Sequence, residues 1–467
     1  MSSKSLTKAA AAQKRAANPY SLGSALKNGG PLVWLSCLIM GFGNIMAGQF
    51  IKGLLFLAIE AVVVVYMFFM GQSGGMYWLS MLPSLGDRVS EEIWSDELGV
   101  YIYTEGDNSQ QILLYAVVTM AILVMFAVMW RASVRSGYQA LCIKKSGKKV
   151  PSIVGDVKAL FDGNIHKLLM SLPFMALVIF TVIPLVYMML MAFTNYGKVD
   201  SHLVLFDWVG LDNFGKIFDA KSSIGKQFWD VLSWTLIWAF FATFLNFFMG
   251  TFMAMIINRP TTRLKGMWRT VLSLTVAVPQ FVSLLIIRSM FKDQGIINSL
   301  LQQWGLIETP LPFWTDTTWA RVTIIVVNLW VGIPYTVMQV TGILKNIPAD
   351  LYEAARIDGA NVVQQFMNIT LPYMVFVLTP YMITSFTGNI NNFNVIYLLS
   401  GGGPVTKITD TAGSTDLLVT WLYKLTVDNL QYNLAAVIGI LTFIILAIVS
   451  LVTYRSSGSY KDEEGFK

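Results

Sequence analysis

Long apolar runs separated by short polar loops dominate this chain. Eight of them reach about 20 residues, the length an α-helix needs to cross a bilayer's hydrocarbon layer. They lie near Ile51 to Met70, Ile112 to Trp130, Leu168 to Phe193, Val231 to Ile257, Val271 to Phe291, Val322 to Leu344, Tyr373 to Leu399 and Leu434 to Tyr454. Leu32 to Gly48 is also apolar, but Gly41, Gly43, Asn44 and Gly48 break it, so it reads as an interfacial or re-entrant segment. The pattern predicts an all-α membrane protein of about eight transmembrane helices. Composition agrees: 55% of the 467 residues are hydrophobic and 13% charged, against about 25% charged in soluble domains.

Charge orients the spans. Lys4, Lys8, Lys14, Arg15 and Lys27 precede the first span with no acid among them, and Arg135, Lys144, Lys145, Lys148, Lys149 and Lys158 follow the second. The positive-inside bias places both segments, and with them both termini, in the cytoplasm. The loop from Gly71 to Gln111 carries Asp87, Glu91, Glu92, Asp96, Glu97, Glu105 and Asp107 against the single Arg88 and belongs outside. The net charge of +6 is this topological bias and no nucleic-acid signal, though the basic clusters can touch lipid headgroups. Cys37 and Cys142 suggest no disulfide framework, and the polar, basic first twenty residues suggest no cleavable signal peptide. The chain divides into residues 1–130 with two spans, a basic linker over 131–166, a six-span core over 167–454 and a tail over 455–467.

One polar segment, 345–372, interrupts the core. Asp350 is placed to cap a short helix with Glu353 three residues on, Gly359 to end it, and Asn361 with Gln364 to start a second helix through Phe366 and Ile369. Leu371-Pro372 is expected to bend the chain before the next span. Without a partner, this would be only a well-capped amphipathic loop.

Glu353-Ala354-Ala355, Asp358, Gly359, then Phe366, Ile369, Leu371 and Pro372 resemble the EAA motif of membrane subunits of ATP-binding-cassette importers. An extra pair of spans ahead of a six-span, type I core is similar to the larger permease of maltose and maltodextrin importers. The resemblance implies a multi-pass subunit of a bacterial plasma membrane. Its partners would be a second homologous permease, two ATPase subunits docking on the EAA loop, and an extracytoplasmic sugar-binding protein. The enteric members carry a large insert between the third and fourth spans, whereas Thr194 to Trp229 is short, which puts contact through that insert in doubt.

No G-x-x-x-x-G-K-[ST] run exists here, so the chain cannot cradle nucleotide phosphates and the ATPase must be another polypeptide. His166 and His202 are its only histidines, and no metal, cofactor or catalytic set is expected. Polarity at membrane depth gathers in two places. Ser385, Asn389 and Asn392 recur at helical spacing in the seventh run, and Asn328, Val331, Gly332 and Tyr335 do so in the sixth, where Gly332-Ile333-Pro334 should kink the helix. Amides that pair with hydroxyls in both directions, beside a ring that packs on a pyranose face, suit a sugar; interhelical glue is the alternative. The maltose-type resemblance assigns sugar contact to the same positions and to Gly388, where an aromatic is familiar. It leaves a galactoside or raffinose-type substrate open. A secondary transporter would require a coupling-ion site, and an intramembrane enzyme a nucleophile or carboxylate pair; neither is visible. Glu60 stands mid-span with no basic partner in view, Arg288 snorkels at a span end, Gly401-Gly402-Gly403-Pro404 reads as a turn, and Asp416 has no derivable role.

Overall fold

The computed structural model describes residues 19–95, 99–103, 105–163, 165–198, 202–259, 261–406 and 408–456. Among them, seven helices are long and apolar enough to span a membrane: Phe50–Phe69, Ser109–Lys145, Leu169–Met191, Ser223–Asn258, Thr317–Leu344, Val362–Ile390 and Tyr432–Arg455. An eighth span, fifth in chain order, is a pair, Lys265–Ala277 and Gln280–Met290, meeting at 90°. Pro279 causes the break, since it lacks an N–H and disfavours helical geometry at Val278 before it, which sits at ψ 130. By contrast, Thr317–Leu344 runs through Pro334 as one helix. The chain forms two compact units, Met1–Leu190 with Ser201–Trp208, and Met191–Asp200 with Val209–Lys467.

In the first unit the glycine-rich segment is two short helices, Gly30–Leu38 and Phe42–Ala47, with Gly41 between them at φ 82. The N–H groups freed at the break are satisfied by side chains. Met40 N donates to Glu60 Oε2 (2.8 Å), Gly41 N to Ser133 Oγ (2.8 Å) and Gly43 N to Ser36 Oγ (2.8 Å). Glu60 therefore has a partner after all, and it is backbone. The second span continues as helix to Lys145, so the basic linker is helical over its first fifteen residues. Between the first two spans lies a feature the hydrophobic pattern did not predict, an antiparallel hairpin of β1 (Glu92–Ser95) and β2 (Val100–Tyr103).

In the second unit the fourth span (Ser223–Asn258) and the sixth (Thr317–Leu344) pack along glycines. A Cβ at Gly250 would stand 2.5 Å from Thr336 Cβ, and one at Gly332 would overlap the Asn246 side chain. Small residues thus bring the two backbones together where lipid supplies no hydrophobic drive. One apolar cluster joins Trp234, Trp238, Leu284, Ile324, Ile396 and Leu399, and a second joins Phe247, Ala254, Val337, Met374 and Leu378. The short connection after the third span is closed by buried Asn213, whose Nδ2 donates to the carbonyls of Ala192 (2.9 Å) and Thr194 (2.7 Å).

Candidate substrate site and docking loop

The seventh span ends earlier than its apolar run. Its regular helix, Leu371–Ile390, stops at Asn391, and Asn392 caps a separate helix, Phe393–Leu399, by accepting from Val395 N (3.3 Å). Asn side chains compete for local backbone groups and favour such breaks. Asn392 therefore does not continue the helical face of Ser385 and Asn389, as its spacing suggested, yet the break folds it back beside them. Asn392 Nδ2 donates to Asn389 Oδ1 (3.3 Å), and Asn389 Nδ2 donates to Thr243 Oγ1 of the fourth span (3.0 Å). Trp238 Nε1 donates to the Asn389 carbonyl (3.0 Å).

Ser385, Asn389, Asn392 and Thr243 line a cavity of ≈ 180 Å³ among the fourth, sixth and seventh spans. Of the positions read from sequence, Asn328, Val331, Gly332, Tyr335, Ser385, Asn389 and Asn392 line it; Gly388 does not, and the space around it is open. The sequence reading missed Thr243, Asn246 and Phe247 of the fourth span, Gln280 beside the bend of the fifth, and Thr336, Tyr381 and Met382. Asn246 offered a different signal from the helical spacing that marked Asn389: it is a lone amide inside an apolar run. Among the described residues, no charged side chain lines the cavity. Asn246 Nδ2 is spent on the Ala242 carbonyl (2.7 Å), whereas its Oδ1 is buried without a partner, as is Asn328 Nδ2. Together with Tyr335, 47% exposed, the wall offers an uncharged set of donors, acceptors and rings suited to a neutral polyhydroxyl ligand.

In the polar loop, Gly359 takes φ 79 and ends the helix Ala349–Ile357, as its place in the motif demands. Asn361 and Gln364 form the expected capping box, with 2.9 and 2.8 Å bonds. Asp350 is not the first helix's cap. The helix starts at Ala349 behind Pro348, two residues earlier than an Asp350 cap would start it, which leaves Asp350 in the first turn, where its charge still favours the helix's positive end. Nor does Leu371-Pro372 bend the chain out of helix. Phe366 to Thr370 widen into a π turn in which Leu371 N donates to the Phe366 carbonyl, and the helix runs on past Pro372 into the span. Tyr352 and Thr370 hydroxyls bond at 2.8 Å and pin the short helix to the span's base. Glu353, Ala354 and Asp358 are exposed, Ala355, Phe366, Ile369 and Leu371 half-buried, and Pro372 exposed. Leu351, Ile357, Val362 and Val363 stand 48%, 86%, 68% and 68% exposed, an apolar face left open by the described residues.

Asp416 gains a structural account. It is fully buried against the turn at Gly402, where a Cβ would overlap its carboxylate, and it accepts from Lys424 Nζ (2.6 Å) and Gly413 N (2.7 Å). Burial pushes its carboxyl above the usual carboxylate range, with Lys424 opposing. Neighbouring Thr415 ties the loop to the fourth span by accepting from Trp234 Nε1 at its carbonyl (3.1 Å).

Residues 246–457 match the family model described as the binding-protein-dependent transport system inner membrane component. The chain is 35% identical over 438 residues, 92% of its length and 98% of the other's, to the galactooligosaccharides transport system permease protein GanP of Bacillus subtilis (strain 168). It is 33% identical over 444 residues, covering 92% and 96%, to the maltodextrin transport system permease protein MalC of Streptococcus pneumoniae serotype 4 (strain ATCC BAA-334 / TIGR4). In fold it resembles, at TM-score 0.53 and 22% identity over 64% of this chain and 96% of the other, a chain of a bacterial ABC transporter involved in alginate import.

Proposed function

Because this chain belongs to the family of binding-protein-dependent transport system inner membrane components, we propose that it is the larger of two membrane subunits of an ATP-driven oligosaccharide importer, with maltodextrins as cargo. The observation that carries the sugar reading is the uncharged cavity of amides, hydroxyls and rings, in which a buried acceptor (Asn246) and donor (Asn328) await partners. At ≈ 180 Å³ it is smaller than the roughly 300 to 1,000 Å³ of a pocket enclosing a small-molecule ligand, which fits half of a chamber completed by a second permease. The exposed apolar face beside Glu353 and Gly359 is the surface an ATPase subunit would cover, and the positive-inside bias of the loop charges supports a cytoplasmic position for it. Closure of an ATPase dimer would move that loop and switch the cavity's access.

Likeness to a galactooligosaccharide permease makes a galactooligosaccharide the second reading. Proteoliposomes holding this chain with its partner permease, ATPases and binding protein decide between them. ATP-dependent uptake of maltotriose outcompeting galactotriose is expected. Uptake driven by a proton gradient without ATP would refute the importer reading, and measurable ATP hydrolysis by the isolated chain would refute the assignment of that activity to a partner.

A further inference from the structure

The hairpin between the first two spans places its rings on one side. Its register pairs Glu92 with Tyr103 and Trp94 with Tyr101, and these pairs share a face because side chains alternate along a strand. That face is open: Trp94, Tyr101 and Tyr103 are 50%, 63% and 69% exposed. The Trp94 and Tyr101 rings meet edge to face, centroids 5.0 Å apart at 70°, so one ring is the floor and the other the wall of a corner. Glu92 accepts from the Tyr103 hydroxyl, which also raises that phenol's pKa. A carboxylate has about four acceptor positions, so one such bond leaves it room for further hydroxyls.

The hairpin is also held in place. Isolated two-stranded ribbons are marginal in water. Here Asp107, 8% exposed, closes the base, accepting from Arg88 Nη2 (2.8 Å) and Nε (3.1 Å) on one oxygen and from Asp87 N and Arg88 N (3.1 Å each) on the other. Asp107 N returns a bond to the Arg88 carbonyl (2.8 Å). A fixed ribbon presenting rings and a carboxylate to water is preorganised for a ligand.

We propose that this face is a docking shelf for the pyranose rings of an oligosaccharide, with Trp94 and Tyr101 packing on the apolar face of a ring and Glu92 accepting its hydroxyls. The proposal rests on the oligosaccharide-importer reading and on the acidic loop lying outside, where cargo arrives. Loop charge argues against the other natural home of exposed Trp and Tyr, the lipid interface. Asp87, Glu91, Glu92 and Glu105 surround the hairpin while Arg88 is engaged by Asp107, and such a segment is repelled by anionic headgroups. A longer oligosaccharide offers more rings to the shelf, so it favours long substrates over short ones.

The test uses the complete transporter in nanodiscs, without binding protein, and maltoheptaose as the probe in saturation-transfer NMR. Wild-type complex is expected to transfer saturation to the sugar's ring protons. The Trp94→Ala/Tyr101→Ala double variant should bind at least tenfold more weakly, Trp94→Phe within a few-fold of wild type, and Tyr335→Ala in the membrane cavity should leave the signal in place. In uptake, the double variant should raise KM for maltoheptaose several-fold and leave that for maltotriose and both kcat values unchanged. Equal maltoheptaose binding by wild type and double variant, no binding by either, or a chain-length-independent loss of uptake would each overturn the shelf. So would reduced complex in the membrane with sugar binding retained, the mark of a lipid anchor. Absence of any oligosaccharide import by wild type would instead remove the underlying reading, so the two failures are separable.

Discussion

Replacing Lys424 with Met leaves the Asp416 carboxylate in its buried pocket with neutral partners only, the Gly413 N–H among them. Asp416 is fully buried and the Lys424 side chain 18% exposed, so little solvent screens the pair. Removing one member of such a pair costs about 3 to 5 kcal/mol, because the remaining charge stays desolvated. The folded-to-unfolded ratio then falls by roughly two to three and a half decades at about 1.4 kcal/mol per decade. The sign of the pH dependence follows from the same burial. A carboxyl whose folded pKa lies above its unfolded value binds protons more readily when folded, so stability falls as pH rises through that interval and returns on acidification. Burial already pushes Asp416 upward, and without Lys424 nothing of opposite charge restrains it. Melting of the purified complex, followed by fluorescence-detected gel filtration at acidic and alkaline pH, should therefore place Lys424→Met well below wild type at alkaline pH and nearer to it in acid. The double variant Asp416→Asn/Lys424→Met, which buries no charge, should recover most of the loss. A Lys424→Met protein that melts with wild type, or a double variant as unstable as the single one, would refute the reasoning.

Three further outcomes are expected. Gly359→Val forces a β-branched residue to φ 79 and costs more than about 1 to 2 kcal/mol locally, so complex assembly or the coupling of ATP hydrolysis to uptake should fail while the binding protein still binds sugar; unchanged uptake would show that the turn is not the joint. Tyr335→Ala should cut uptake about tenfold per assembled complex with no change in melting, whereas Asn389→Ala, which loses its bonds to Thr243 and Asn392, should lower both uptake and melting temperature; an Asn389 effect on stability alone would make it interhelical glue. Gly332→Ala should displace Asn246 and slow uptake, at an overpacking cost of about 1 to 3 kcal/mol, and normal uptake at wild-type stability would mean that the wall tolerates the shift.

The helices were legible because hydrocarbon thickness sets their length and loop charges set their direction, and both are local properties of the chain. The capping box at Asn361 and the turn at Gly359 were legible for a similar reason, since each is a bond or dihedral within a few residues. What escaped notice involves distant segments. Asp416 meets Lys424 eight residues on, but its burial depends on the Gly402 turn. Glu60 finds its partner in a backbone N–H twenty residues earlier, which no search for an opposite charge would locate. Asn246 belongs to the cavity only because Gly332, on another span, has no side chain to exclude it. The hairpin was hidden by its shortness, four residues a strand inside an acidic loop.

Two departures from the sequence reading bear on how the proposed importer would work. A bend at Leu371-Pro372 would have put a joint between the docking loop and the span behind it. The π turn at Phe366 to Thr370 absorbs the missing proline N–H instead, and the helix continues from Val362 to Ile390. At 1.5 Å per residue that is a lever of about 43 Å, with the capping box at one end and Asn389 near the other. Pro380 removes one hydrogen bond within that helix, and a full break lies at its far end, at Asn391 and Asn392. A displacement imposed at Gly359 would thus reach the cavity as movement of Ser385 and Asn389 past Thr243, straining the Asn389 bond to Thr243 before any change in the sixth span. Crosslinking Val363 to a partner ATPase should accordingly change the reactivity of a cysteine placed at Ser385 and leave one placed at Val331 unaffected; equal responses at both would mean that the spans move as one block.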